Sequence, residues 1–148
     1  MKLSTKGRYG IKAMVDLATE YESGNKLSIA QLSERQDISY AYLEQLIALL
    51  KKAGLVTAAR GAQGGYTLAR APESISVGEV LKALEGSTAL VECVGTDGTD
   101  CENVCTCAAR PLWLKLQKRI DDVLDSTTIR DMAEDYITQR ERTAGIGK

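Results

Sequence analysis

Residues 55–70, LVTAARGAQGGYTLAR, restrict this chain more than any other stretch. Two short extended runs, LVTAAR and YTLAR, flank Gly61-Ala-Gln-Gly-Gly65, the pattern of a hairpin with a flexible tip. What precedes the hairpin narrows the fold further. In RYGIKAMVDLATEY, Ile11, Met14, Val15 and Ala18 recur at helical spacing and Leu17 widens the stripe, so an amphipathic helix is predicted. Glu22-Ser-Gly-Asn25 ends it. Ser28-Ile-Ala-Gln31 is a capping box that opens a short second helix, IAQLSERQ, and Asp37-Ile38 makes the turn. Ser39 is the N-cap of a third helix, YAYLEQLIALLKKA, which stops at Gly54 in a C′ position. Three helices, with a short turn between the second and third, then a Gly-tipped hairpin, make a winged helix-turn-helix pattern.

Downstream, Ser76-Val-Gly-Glu79 is a second capping box and opens a fourth helix, VGEVLKALEG. Pro111 suits the first turn of a fifth, in which Leu112, Leu116, Ile120, Val123 and Leu124 form one apolar stripe. A last helix covers about TTIRDMAEDYI, and RERTAGIGK reads as a frayed tail. The expected fold is mainly α. A winged helix-turn-helix domain with a two-stranded wing spans 1–86 and a cysteine loop 87–107. A long helix and a C-terminal helix span 108–138, and a flexible tail spans 139–148.

A net charge of −1 does not by itself suggest a nucleic-acid partner, but its distribution does. Residues 1–70 carry ten Lys and Arg against six Asp and Glu; residues 71–148 carry nine against fourteen. Only the first half suits a phosphate surface. The third helix of such a motif enters the major groove with its N-terminal residues at the bases, here Ser39, Tyr40, Ala41, Tyr42, Glu44 and Gln45. Tyr and Ser donate to phosphate, Gln reads adenine, and Glu accepts from the cytosine amino group. The wing offers Arg60, Gln63 and Gly64, with backbone able to come close to the duplex. Lys2, Ser4, Thr5, Lys6 and Arg8, just before the first helix, are further phosphate candidates. The competing reading is a protein-interaction module with ordinary surface residues at these positions.

All four cysteines lie in one Gly-containing stretch: Cys93, then Cys101, Cys105 and Cys107 in CENVCTC. Thiolates are soft ligands that suit iron–sulfur clusters, zinc or copper(I). Intervals of eight and six residues fit a loop wrapping a cluster better than the Cys-x-x-Cys knuckles of structural zinc. Gly95 and Gly98 give that loop torsional freedom, and Glu92, Asp97, Asp100 and Glu102 offer oxygen ligands. A thiol–disulfide switch, a zinc site and incidental small residues stay open. With no histidine anywhere, Cys–His nucleophilic chemistry is excluded, and no phosphate-cradling Gly-Lys motif appears, so no enzyme is expected. No basic-then-apolar leader opens the chain and no apolar run approaches a membrane span, which predicts a cytoplasmic protein.

MKLSTKGRYGIKAMVDLA, LSERQDISYAYLEQL, LKKAGLVTAARGAQGGYTL and SISVGEVLKALEG together resemble the IscR branch of a bacterial winged-helix regulator family, the iron–sulfur cluster biogenesis regulators. The resemblance covers residues 1 to about 138 and implies a homodimer, paired through the long helix, that binds partly palindromic double-stranded promoter DNA. It also implies a [2Fe–2S] cluster held by three cysteines and a histidine, with [4Fe–4S] as in nitric-oxide-sensing relatives as the alternative. Counting back from Trp113, Cys107 and Cys101 fill the third and second cysteine places and Cys93 the first. Arg110 stands where the branch has its histidine, and arginine stays protonated and is no iron ligand. Cys105, the only spare thiolate, a carboxylate or an exogenous thiol would have to complete the set. The resemblance further matches Glu44 to a glutamate that discriminates operator classes, and Gln45 and Arg60 to base- or groove-contacting positions. Ala41 replaces a serine there. A cysteine-metabolism regulator of the same family shares STKGRYG but lacks the cysteine loop.

Overall fold

Helix α1 spans Thr5–Thr19, and the computed structural model describes residues 3–94 and 107–146 in all. The helix starts three residues earlier than its apolar pattern suggests, so Thr5, Lys6 and Arg8 lie on its first turn and a half rather than ahead of it. Its inner face buries Ala13, Met14, Val15, Leu17 and Ala18. Helix α2 (Ile29–Gln36) carries the capping box read from sequence. Gln31 N donates to Ser28 Oγ at 3.1 Å, and Ser28 N donates to Gln31 Oε1 at 2.8 Å. Asp37 closes α2 in the left-handed region at φ 52°, a conformation Asp tolerates. Helix α3 (Tyr40–Lys52) follows directly and buries Leu43, Leu46, Ile47 and Leu50.

The hairpin consists of β1 (Val56–Ala59) and β2 (Gly65–Leu68), antiparallel, with Val56 opposite Leu68 and Ala59 opposite Gly65. One residue before α2 extends it: Leu27 pairs with Tyr66 through N–H···O bonds of 3.0 and 2.8 Å. A 3-10 turn at Pro72–Ser74 leads to α4 (Val77–Glu85), whose Ser76–Glu79 capping box is formed. Helices α5 (Arg110–Ser126) and α6 (Ile129–Ile146) complete the fold. The core between α1, α3, α4 and the hairpin is aliphatic, as a chain without Phe requires.

One expectation needs correction. The tail predicted over 139–148 is helical through Ile146, because α6 continues to that residue. Gln139, Arg140, Glu141 and Arg142 are strong helix formers, and exposure on all sides does not stop propagation from an anchored start. That anchor is tight: Thr128 and Asp131 form a reciprocal cap, Ile129 is fully buried, and Ser76 and Thr128 pair as an isolated bridge. Arg130 pins the same turn by bonding Glu22 and Glu73. The apolar stripe read on α5 lies mostly at the surface. Only its far end, Leu124, packs on the core, while Leu112, Leu116 and Val123 are 52%, 40% and 62% exposed. The buried residue of α5 is polar, Gln117.

Asp16 is 1% exposed in the middle of the α1 core face and accepts from Gln36 Nε2 at 2.6 Å. Burial raises its carboxyl above the ordinary range, against smaller opposing pulls from Gln36 and Arg35. A carboxyl with a raised folded value favours the fold below its unfolded pKa, and that contribution disappears as pH rises through the folded value. Asp16→Asn keeps an acceptor for Gln36 and removes the buried charge. Its melting temperature is therefore expected to exceed wild type by roughly 2–6 °C at pH 7 and by less near pH 4. Calorimetry checks this, and a lower melting point at both values would contradict it.

Candidate nucleic-acid interface and cysteine segment

Burying Leu43, Leu46, Ile47 and Leu50 leaves Tyr40, Ala41, Glu44 and Gln45 exposed on the outer side of α3. Four of the predicted base-facing residues therefore share the surface a groove would meet. Ser39 caps the helix, its Oγ accepting from Tyr42 N at 3.3 Å. Tyr42 is half-buried and already engaged. Its hydroxyl pairs with Thr5 Oγ1 at 2.8 Å, and its ring meets Tyr9 edge-on with centroids 6.0 Å apart. Arg8 and Lys12 place their cations 6.0 and 5.3 Å from the Tyr9 ring centroid, so the start of α1 forms a basic, exposed shoulder next to the head of α3.

On the wing, Arg60 and Gln63 are exposed. Gly64 lies within the turn that Gly64 N closes on Gly61 O at 2.9 Å. A Cβ there would sit 2.4 Å from Ala59 O, so the tip admits no side chain at that point. Ser4 is exposed at the N-cap of α1; its Oγ donates to Glu85 Oε1 and accepts no capping bond from its own helix. Lys2 lies outside the described residues.

Cys93 sits in a 3-10 turn, Glu92–Val94, packed against α5. Cys107 stands immediately before α5, and its carbonyl accepts from Arg110 N at 3.3 Å. Both thiols are half-buried and free. The segment leading to Cys93 is fastened by Gln117. Its Oε1 accepts from Leu90 N at 2.5 Å, and its Nε2 donates to Thr88 O at 3.2 Å and Asp121 Oδ1 at 2.9 Å. Both flanks of the cysteine stretch are thus held on one helix. Cys101 and Cys105, with Gly95, Asp97, Gly98, Asp100 and Glu102, lie outside the described residues. Among the described residues, no group of three or more His, Cys, Asp or Glu converges as a metal site. Arg110 Nε is buried and has no hydrogen-bond partner among them.

Residues 3–135 match the Rrf2 family, whose description is iron-dependent transcriptional regulator. The chain belongs to the Rrf2 family. It is 41% identical over 140 residues to the HTH-type transcriptional regulator IscR of Aliivibrio salmonicida, covering 95% of this chain and 82% of that one. It is 39% identical over 133 residues to the HTH-type transcriptional regulator CymR of Bacillus subtilis, covering 90% of each. Among solved structures, CymR, the global cysteine regulator of B. subtilis, superposes with a TM-score of 0.77 at 39% identity, over 90% of this chain and 97% of that one. T. potens IscR superposes with a TM-score of 0.74 at 45% identity, over 92% of this chain and 88% of that one. These are winged-helix transcriptional regulators, and the chain is accordingly a DNA-binding regulator and not an enzyme.

Sequence reading missed Gln117 and Glu85. Gln117 falls on the α5 face that otherwise carries Trp113, Ile120 and Leu124, and Glu85 places a carboxylate at the C-terminal end of α4, where the helix dipole disfavours it. Both irregularities were visible as departures from pattern.

Gln45→Ala is expected to lose about 1–3 kcal/mol of binding to a duplex selected from a random pool and to relax preference at one base pair. Lys6→Ala is expected to weaken all duplexes alike and to lower the salt slope by about one. Anisotropy titrations across salt check both; identical effects of the two variants would contradict the assignment.

Proposed function

We propose that this regulator is a cytoplasmic homodimer that binds promoter DNA, mainly as a repressor of iron–sulfur cluster biogenesis genes, and reports cluster supply through its cysteine loop. The observation that carries the reading is the placement of two free, half-buried thiols, Cys93 and Cys107, at the two α5-anchored flanks of the stretch that also contains Cys101 and Cys105. An all-thiol donor set fits an iron–sulfur cluster. Cys93, Cys101 and Cys107 would hold it, with Cys105 as fourth ligand, as [2Fe–2S] or alternatively [4Fe–4S]. Such a cluster, when bound, supplies a group whose occupancy follows iron, sulfide and oxidant levels. Arg110 takes no ligand role: a guanidinium keeps its proton and donates only. The similarity to IscR relatives supports the cluster reading.

The residues expected to meet DNA are Ser4, Thr5, Lys6 and Arg8 at the start of α1 and Ser39 to Gln45 on α3. Arg60, Gln63 and Gly64 would act from the wing. Leu112, Leu116 and Val123 leave α5 with an exposed apolar face, which suits pairing with a second copy. Replacing Leu112 and Leu116 together with Glu is expected to convert the dimer to monomer in sedimentation velocity while far-ultraviolet circular dichroism stays unchanged. A wild-type chain already monomeric at micromolar concentration would contradict the pairing.

A thiol switch without a stable cluster is the second reading, favoured by the equally close likeness to CymR. Anaerobic reconstitution separates the two. The cluster reading predicts visible absorption and about one cluster per chain, lost in Cys101→Ala and Cys107→Ala and spectrally altered in Cys105→Ala. A colourless protein whose DNA binding changes on oxidation, and no longer does so in Cys105→Ala, would establish the switch instead.

A further inference from the structure

Glu85 ends α4, and its carboxylate is poorly placed for its own helix. Its partners belong to another one. Glu85 Oε1 accepts from Ser4 N at 3.1 Å, from Gly7 N at 3.1 Å and from Ser4 Oγ at 2.5 Å. Ser4 occupies the N-cap position of α1 with extended backbone, yet its side chain makes no capping bond to that helix. The cap of α1 is therefore supplied by a side chain 81 residues away in sequence. An anion at a helix N-terminus satisfies free N–H groups and is favoured by the dipole, so the same charge is unfavourable for α4 and favourable for α1.

The glycines of KGRYG exist in this arrangement as space. A Cβ on Gly7 would lie 2.5 Å from Glu85 Oε1, and a Cβ on Gly10 would lie 2.1 Å from Leu84 Cδ1. Between the Glu85 bonds sits Thr5, whose hydroxyl pairs with Tyr42 at the head of α3. On the other side of Glu85, Gly86 turns the chain at φ 80° toward Thr88 and Leu90, the residues fastened by Gln117.

We propose that Glu85 is a positioning residue for DNA binding. Its carboxylate fixes the start of α1, and with it Lys6, Arg8 and the Thr5–Tyr42 contact, in the pose that meets the duplex. This rests on the reading above that those residues face DNA. The sign of the effect distinguishes it from simple electrostatics. A carboxylate beside a phosphate-facing surface opposes binding, so deleting the charge should tighten the complex. The positioning role requires deletion to weaken it.

The test uses the full chain and the selected duplex, with Glu85→Ala, Glu85→Gln and Gly7→Ala. Glu85→Ala is expected to weaken binding about tenfold, as loss of a cap's stabilisation would. The slope of log K against log salt should fall by about one to two as Lys6 and Arg8 lose their phosphates. Gly7→Ala keeps the charge but displaces it and should reproduce both changes. Glu85→Gln retains an acceptor oxygen and should keep most of the affinity. Without DNA, amide exchange at Gly7 should accelerate in Glu85→Ala. Wild-type affinity and slope in Glu85→Ala, or tighter binding, would overturn the proposal even if the variant melts lower. Failure of the wild type to bind any duplex would instead remove the DNA reading on which it stands.

Discussion

Helix α1 is in contact with more of the molecule than any other element: α4, α6, β2, α2 and α3 all pack on it. How closely α4 approaches is set by two missing side chains, Gly7 and Gly10, since a methyl at either would collide with Glu85 or Leu84. That close approach brings one carboxylate onto the helix start and puts the exit of α4 beside it. The candidate DNA-facing surface and the entry to the cysteine stretch consequently belong to one packed body. With no Phe and an aliphatic core, the interior has few large rings to wedge these helices apart.

From that body the polar anchors lead in two directions. Toward the candidate DNA-facing surface, Thr5 and Tyr42 join α1 to the head of α3, and the Tyr9–Tyr42 edge contact backs the joint. Toward the cysteines, Gln117 holds Thr88 and Leu90 on α5, which in turn packs closely on α4 at Gly78. A buried glutamine whose amide has both ends bonded costs little and specifies one register of the segment it holds. Surface ion pairs such as Arg35–Glu20 and Arg70–Glu79 add little by comparison.

Much of this was legible in the residues because helix caps act locally. Ser28, Ser39 and Ser76 bond within three residues of themselves, so their spacing predicts the helix starts directly. The hairpin was legible for the same reason: its turn chemistry is contained in RGAQGG. What escaped was set by distant partners. The Leu27–Tyr66 pairing is one residue wide and leaves no periodic trace. The cap of α1 is invisible locally because Ser4 looks like a cap and another residue does the capping. On the candidate surface, α3 placed Tyr40, Ala41, Glu44 and Gln45 together as read, whereas Tyr42 proved partly committed to Thr5. The periodicity of α5 marks Leu112, Leu116 and Val123 as one stripe but does not say that they stay exposed on this chain, because spacing alone does not tell an apolar face turned to the core from one turned outward.

Under the proposed function, occupancy of the cysteine stretch sets how this regulator holds DNA. Coupling of that kind needs the loaded and empty states to differ in duplex affinity. The direct measurement is an anaerobic anisotropy titration of the selected duplex with cluster-loaded protein, repeated on the same sample after chelation of its iron. A shift in affinity of about fivefold or more is predicted, typical of allosteric coupling free energies. Superimposable isotherms from two samples of demonstrably different iron content would contradict the account.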